Sequence, residues 1–384
     1  MRAGRLVLIV AIVAYGVVFG EMFLRVFAPQ PLVPRYVTGS ADGIRANMQG
    51  TTFRQWTPEV DVRVRYNDRG MRDDRPAPPL QKPVGQCRVA LLGDSYFVGF
   101  ESDFASSFAK RLEDDLAAAR TPARVLNFAV SGFGTAEDLI ALQRRVAAWK
   151  PDVVIMSWHN TDPVDNVRSG LFRLDGDRLV ATGTPFLPGI AISDRLMQVP
   201  GYRWLIENSQ LYSAVRERAA VAIKALLAKL RGGAVAGDTD PLGLAASDTP
   251  APEFADALLP PRGQGHGNPR LDLALLRASR DAAGGMGAHF LLFDIPIFRS
   301  RTEFLSPQAL YLGDLPGFEM VSPQQDFTAA GSGSTKLYWE KGHLHWTPRG
   351  NALAASVAAR AIAARGWLAG CRDAKAFELG GARP

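Results

Sequence analysis

Between Arg88 and Trp158 the chain alternates short, continuous apolar runs with stretches of helical periodicity. That rhythm builds a parallel sheet with helices on both of its faces. The first run, Arg88-Val89-Ala90-Leu91-Leu92, reads as a buried strand. Phe104, Phe108, Leu112 and Leu116 then recur at helical spacing, with Glu113, Asp114 and Asp115 on other faces. Val125-Leu126-Asn127-Phe128-Ala129-Val130 is a second strand, and Leu139, Ile140, Leu142, Val146 and Trp149 mark the next helix. Pro151-Asp152 opens a third strand, Val153-Val154-Ile155-Met156-Ser157-Trp158. The pattern resumes with a helix over 271–284 and a strand over 289–296. A last helix starts at Thr347-Pro348, threonine as N-cap and proline at the first helical position, and carries Leu353, Val357, Ile362 and Trp367.

Chemistry-bearing residues follow three of these strands, where open α/β sheets bind ligands. The turn Leu92-Gly93-Asp94-Ser95-Tyr96 sets a serine just past the first strand. Its hydroxyl is placed to act as a nucleophile, and its backbone N–H to bind an oxyanion. Asn127 to Thr135 leaves the second strand with Gly132 and Gly134, which let backbone come close to a reacting carbonyl. Trp158-His159-Asn160-Thr161-Asp162 follows the third strand, and the Asn160 amide can donate to the same oxyanion. Two of only five histidines stand in His343-Leu344-His345-Trp346, just before the last helix, where a histidine can take the proton of Ser95 and return it to a leaving group. Each of these alone reads equally as a turn, a cap or a packed side chain. Two histidines one residue apart, with no further ligands nearby, make no zinc set, and no metal or organic cofactor is indicated.

The first 28 residues form a separate unit. Arg2 and Arg5 precede an uncharged run from Leu6 to Gly20, Glu21 and Arg25 can pair one helical turn apart, and apolar character ends at Pro29-Gln30-Pro31. The stretch is long enough to cross a bilayer, with the arginines inside and the body outside. It reads as a single-pass inner-membrane anchor holding a periplasmic or extracytoplasmic body; a cleaved signal peptide is the rival, and Pro29 directly after Val26-Phe27-Ala28 argues against cutting. Residues 29–86 read as a linker or extended lead-in with one strand at about 60–66, where Val60, Val62, Val64 and Tyr66 alternate with charged residues. Residues 87–373 read as the main domain, interrupted at about 170–270 by a helical and loop insertion. Within the insertion, 202–230 is read as helical, with Trp204, Leu205, Leu211, Tyr212, Val215 and Ala219 as its apolar face. Its basic residues are read as an ordinary solvated face in preference to a membrane-surface helix, and 232–269 as a flexible loop.

A net charge of +6 over 384 residues, with basic residues scattered, excludes nucleic acid as the expected partner. Cys87 precedes the first strand and Cys371 follows the last helix, so both fall on the side of the sheet away from the site. In an exported protein the two are expected to pair, the alternative being two free thiols.

Taken in order, Gly93-Asp94-Ser95-Tyr96-Phe97-Val98-Gly99, Gly132, Asn160 and His345 resemble the four blocks of the SGNH (GDSL-type) hydrolase superfamily, over roughly residues 88–165 and 286–367. The resemblance implies a three-layer α/β/α, flavodoxin-like parallel sheet behind the N-terminal helix. It implies Ser95 as nucleophile, Gly132 and Asn160 at the oxyanion, and His345 as general base and acid. The stretch His345-Trp346-Thr347-Pro348-Arg349-Gly350 is also similar to the SGNH-like domains of alginate O-acetylation proteins. The implied activity is that of an esterase or O-acetyltransferase acting on O-acyl esters of envelope or extracellular carbohydrate. A transferase would need a multi-pass membrane partner to deliver the acyl group. Two positions depart from the family pattern. Trp158 and Thr161 stand where the third block has glycine and aspartate, and His343 and Gly342 stand where an aspartate should precede the histidine. His343, Glu340, Asp314, Asp326 and Asp294 are the groups considered as a replacement, beside a Ser-His dyad with no acid. A catalytically impaired SGNH-like scaffold in a polysaccharide-modification complex is the alternative function.

Overall fold

The computed structural model describes residues 2–216, 218–219, 267–331 and 336–371. In chain order the N-terminal part contains α1 (Arg2–Phe27), β1 (Val37–Gly39), β2 (Arg45–Asn47), β3 (Thr52–Trp56) and β4 (Asp61–Arg65). The body begins with β5 (Cys87–Leu92), α2 (Ser95–Val98), α3 (Phe108–Ala118), β6 (Ala123–Asn127), α4 (Thr135–Ala141), β7 (Val153–Trp158) and α5 (Asp162–Ser169). There follow β8 (Phe172–Asp175), β9 (Arg178–Ala181), α6 (Ile190–Met197), α7 (Tyr202–Asn208) and α8 (Pro269–Gly285). The chain then runs through β10 (His289–Asp294), β11 (Ile297–Ser300), β12 (Glu303–Leu305), α9 (Pro307–Tyr311), β13 (Met320–Val321), α10 (Gln324–Ala330) and α11 (Pro348–Ala364).

Five strands form one parallel sheet in the order β13-β10-β7-β5-β6. Counted along the chain this is the flavodoxin order, whose connections reverse direction between the first and third strands. Those strands are β5 and β7, so the crevice for a ligand opens where Ser95 and Asn160 leave the sheet. Every residue of β7, and every residue of β5 after Cys87, is buried. Alternate side chains feed opposite layers, because successive residues of a strand point to opposite faces. Val89, Leu91 and Ile155 pack with Leu112 and Leu116 of α3 and Ala354, Ala358 and Ile362 of α11. Ala90, Leu92, Val154 and Met156 pack with Leu139 of α4 and Leu275 and Leu276 of α8. The result is the expected three-layer α/β/α arrangement, with an apolar N-terminal helix ahead of it. Truncating one of these fully buried leucines to alanine would cost about 2–5 kcal/mol.

The helix read over 139–149 starts at Thr135 and changes pitch, passing from α4 through a π turn at Leu142–Val146 to a 3-10 turn at Ala147–Trp149. The final helix starts as read, with the Thr347 hydroxyl accepting the Gly350 N–H. Cys87 and Cys371 are joined by a disulfide, their Cα atoms 5.5 Å apart.

The lead-in carries more structure than its sequence announced. Its alternating stretch forms β4, paired antiparallel with β3, and β1 pairs with β2. Tyr36, Phe53, Val64 and Tyr66 belong to the core that lies on the α3 side of the sheet. Glu207 of α7 accepts hydrogen bonds from the Tyr36 hydroxyl and, at 3.2 Å, from the Arg54 N–H, tying the insertion to the lead-in. The insertion, read as helix and loop, departs from that reading in two respects: it opens with an antiparallel hairpin, β8 paired with β9, and its helix is interrupted. The helix is broken at Ser209, whose backbone is extended, and Trp204 faces outward, 64% exposed, instead of packing on an apolar face. Helix resumes at 210–216 and 218–219; residues 220–230 of the stretch read as helix, all but 267–269 of the loop read over 232–269, and the domain's end at 373 lie outside the described residues.

Candidate active site

Ser95 opens α2 directly after β5 and is buried. Gly93 has φ +148 and sits so close to β7 that a Cβ would fall 2.0 Å from the Ser157 hydroxyl, so a side chain there cannot be accommodated. The Asp94 carboxylate accepts the Tyr96 N–H at 3.0 Å and the Asp94 carbonyl accepts the Val98 N–H. The Ser95 N–H, at the first turn of a helix, has no intrahelical partner. Beneath this turn Asp138 is fully enclosed and accepts the Gly93 N–H; burial, then the charges of Glu137 and Asp94, push its carboxyl well above the usual range.

His345 reaches Ser95 from the segment before α11, with Nε2 2.8 Å from Oγ. Its Nδ1 lies 3.3 Å from Oε2 of Glu101. Glu101 is completely buried, and its Oε1 accepts the His343 N–H at 3.0 Å. Burial alone would raise this carboxyl, but hydrogen bonds and charge attraction from His343 and His345 hold it well below the usual carboxylate range. Ser95, His345 and Glu101 therefore stand in line, an arrangement that can activate a serine hydroxyl.

The carboxylate beside His345 is none of the groups that the sequence offers for that place. Of the groups weighed there, Glu340 pairs with Arg301 at 2.6 Å and Asp326 with Arg360 at 2.7 Å. Asp294 accepts from Ser322 and from the Gln308 N–H, Asp314 is exposed with no contact to His345, and His343 contributes its backbone N–H to Glu101 instead of replacing an acid. Glu101 lies six residues after Ser95 in a left-handed turn, φ 57. Three groups hold it there. The Gln55 side chain of β3 accepts its N–H at 2.8 Å, the Trp339 indole N–H donates to its carbonyl at 3.0 Å, and Gly342 leaves space for its carboxylate. The available signal was the pair Gly99 and Glu101, a turn-former followed by a carboxylate, close enough to the serine to fold back over it.

Gly132 follows β6 with φ +75. The loop is clamped from two directions. Arg45 of β2 donates to the Gly132 carbonyl at 2.6 Å and pairs with Glu137 at 3.0 Å, while the other oxygen of Glu137 accepts the Gly134 N–H at 3.0 Å. Both Arg45 and Glu137 are buried. Asn160 is buried after β7, with no hydrogen-bond partner for its Oδ1 among the described residues. Of the two departures beside it, Trp158 is a core residue packed against Tyr311, and Asp162, one place after Thr161, accepts the His159 N–H at 2.5 Å. His159 itself lies 3.2 Å from Asp94 and packs on one side of the Tyr96 ring, with His345 on another.

No family model and no curated protein matches the chain. Solved structures similar to it include a putative GDSL-like lipase from Parabacteroides merdae, 12% identical over 73% of this chain and 96% of that one, with a TM-score of 0.38. TesA is 12% identical over 72% of this chain and 97% of its own, with a TM-score of 0.35. A two-domain esterase active on acetylated mannans is 12% identical over 75% of this chain and 52% of its own, with a TM-score of 0.34. The neighbours so found are thus GDSL-like lipases, acylhydrolases and esterases. At identities this low the likeness carries no argument about chemistry, and the site's own geometry has to.

Proposed function

We propose that the chain is a serine esterase or O-acyltransferase of SGNH type, held in the inner membrane by α1 with its body on the extracytoplasmic side. The observation that carries this reading is the line Ser95–His345–Glu101, with contacts of 2.8 and 3.3 Å, at the C-terminal end of the two central strands. His345 Nε2 takes the proton of Ser95 Oγ as the oxygen bonds to the ester carbonyl carbon. The oxyanion that forms meets the N–H groups of Ser95 and Gly132 and the Asn160 amide. Collapse of the intermediate breaks the ester C–O bond, and the leaving alkoxide receives the proton held on Nε2. Water then attacks the acyl-serine, giving an acid, or a sugar hydroxyl attacks it, giving a new ester. Glu101 keeps Nδ1 protonated and balances the imidazolium charge throughout.

An acylated carbohydrate of the cell envelope is the substrate class that fits an anchored, exported enzyme, and a transferase would draw its acyl group from a multi-pass membrane partner. The motive for a scaffold without turnover was the lack of an acid at His345, and Glu101 removes it. The test is labelling of the full-length chain by a fluorophosphonate, with hydrolysis of an activated acetyl ester in parallel, beside Ser95→Ala and His345→Ala. Labelling and turnover lost in both variants support the reading. Labelling absent from the parent chain, or unchanged in Ser95→Ala, overturns it. Acetyl transfer to an added oligosaccharide separates transferase from esterase.

A further inference from the structure

The last two turns of α1 have two unlike faces. Gly20, Glu21 and Leu24 are partly covered by the body, whereas Met22, Phe23, Val26 and Phe27 are 57, 48, 63 and 72% exposed. The covered face is a built joint. Glu21 accepts hydrogen bonds from the Ser209 hydroxyl at 2.8 Å and from the N–H groups of Gln210 and Leu211 at 3.1 and 3.0 Å, so its carboxylate caps the helical residues that begin at 210. Arg25, paired with Glu21 at 2.8 Å, donates to the Asn208 carbonyl at the end of α7. A Cβ at Gly20 would touch the Leu211 methyls at 3.5 Å.

Length fixes the depth of this joint. The apolar helix Gly4–Phe27, 24 residues, spans about 36 Å at 1.5 Å per residue, enough for a hydrocarbon core of about 30 Å. Ended at Gly20, the uncharged run from Leu6 would span only about 22 Å and fall short. The turn with exposed Met22, Phe23, Val26 and Phe27 therefore belongs within the outer half of the bilayer, and the body elements fastened to its opposite face are drawn to the same level. Those elements carry exposed apolar groups. Trp204 on α7 is 64% exposed and lies one turn before Asn208, whose side chain bonds its carbonyl at 2.9 Å; Val199 and Val215, on the flanking segments, are 52 and 56% exposed. Arg203 and Arg218, both exposed, stand beside them with charge suited to anionic headgroups.

We infer that α7 and its flanks lie in the outer headgroup layer of the bilayer that α1 crosses, with Trp204 as the interfacial side chain and lipid as the occupant of this face. The inference rests on the reading of α1 as a retained span. It replaces the solvated face expected from the basic residues alone. Glu207, on the same helix, bonds the lead-in that also carries Gln55 and Arg45, so this surface and the Glu101 and Gly132 turns share the lead-in as a common support.

The test uses the full-length, disulfide-bonded chain in vesicles of phosphatidylethanolamine and phosphatidylglycerol. Single substitutions Trp204→Cys, Val199→Cys, Tyr15→Cys and Asp177→Cys each carry a fluorophore sensitive to polarity, and doxyl-labelled lipid is the quencher. Labels at 204, 199 and 15 are expected to lose more than half of their emission, and the label at 177, on a charged hairpin, to lose none. Quenching at 15 without quenching at 204 and 199 overturns the inference and leaves the anchor intact. Absence of quenching at 15 overturns both, and quenching at 177 as strong as at 204 overturns the specific surface.

Discussion

A Cβ added at Gly342 would lie 1.9 Å from Oε1 of Glu101. The Glu101 carboxylate thus fills the volume beside the chain at 342 and 343, the positions where the family resemblance calls for an aspartate. A carboxylate occupies that volume although neither position 342 nor 343 carries one. It is held by the backbone next to the histidine, through the His343 N–H at 3.0 Å.

Removing the charge should leave the fold and cost the reaction. Glu101→Gln is expected to lower kcat on an acetyl ester by about 10³–10⁴, the scale seen when a triad acid is made neutral. In a Glu101→Ala background, His343→Asp should recover at least about tenfold by restoring a carboxylate to the vacated volume. Steady-state kinetics of the three variants checks both, and a Glu101→Gln enzyme with parental kcat would deny the acid its role.

Gly342→Ala is a steric test of the same contact. Gly342 has no left-handed φ, so the strain comes from the carboxylate it displaces. Overpacking of this kind costs about 1–3 kcal/mol. The penalty should vanish in Glu101→Ala, which a double-mutant cycle of urea midpoints would read as a coupling.

The Gly132 loop is held by a residue from the lead-in. Arg45→Met alone strands the buried Glu137 charge and is expected to cost about 3–5 kcal/mol. Paired with Glu137→Gln the charge is gone, yet the Gly132 carbonyl has lost its donor. The double variant should melt near the parent while kcat falls by about tenfold or more, since oxyanion donors work only when fixed. Parental kcat in a folded double variant would show that the loop holds itself.

Asp272 offers a pH test away from the chemistry. Burial, opposed by hydrogen bonds from Asn166 and Tyr311, pushes its carboxyl from 3.8 up to about 7. Between those values the folded chain keeps a proton that the unfolded chain has lost, so this group's stabilisation is present below pH 3.8 and is lost as pH rises towards 7. Asp272→Asn, which keeps an acceptor for Asn166, should therefore gain Tm relative to the parent between pH 5 and pH 8. A constant difference across that range would refute the assignment.

The central strands were legible because β5 and β7 are buried on both faces and read as unbroken apolar runs. Edge strand β13 is two residues long and leaves no pattern. Ser95, Gly132, Asn160 and His345 stand out in the sequence because each follows a strand or precedes a helix that local periodicity defines. Glu101 does not, since its conformation is imposed by Gln55 and Trp339, which lie 46 and 238 residues away in the chain. Arg45 escaped for the same reason, its partners being 87 and 92 residues on. Trp204 misled through periodicity, which cannot register the break at Ser209.

The Cys87–Cys371 bridge encloses nearly the whole α/β body in one covalent ring, with a separation of 284 residues. A protease that cuts once anywhere inside the ring opens it without releasing a piece, and the two halves migrate apart only after reduction. The ring also closes last, because Cys371 leaves the ribosome after every strand of the sheet. A chain halted between His345 and Cys371 would hold Ser95, Gly132, Asn160 and His345 but not the clasp.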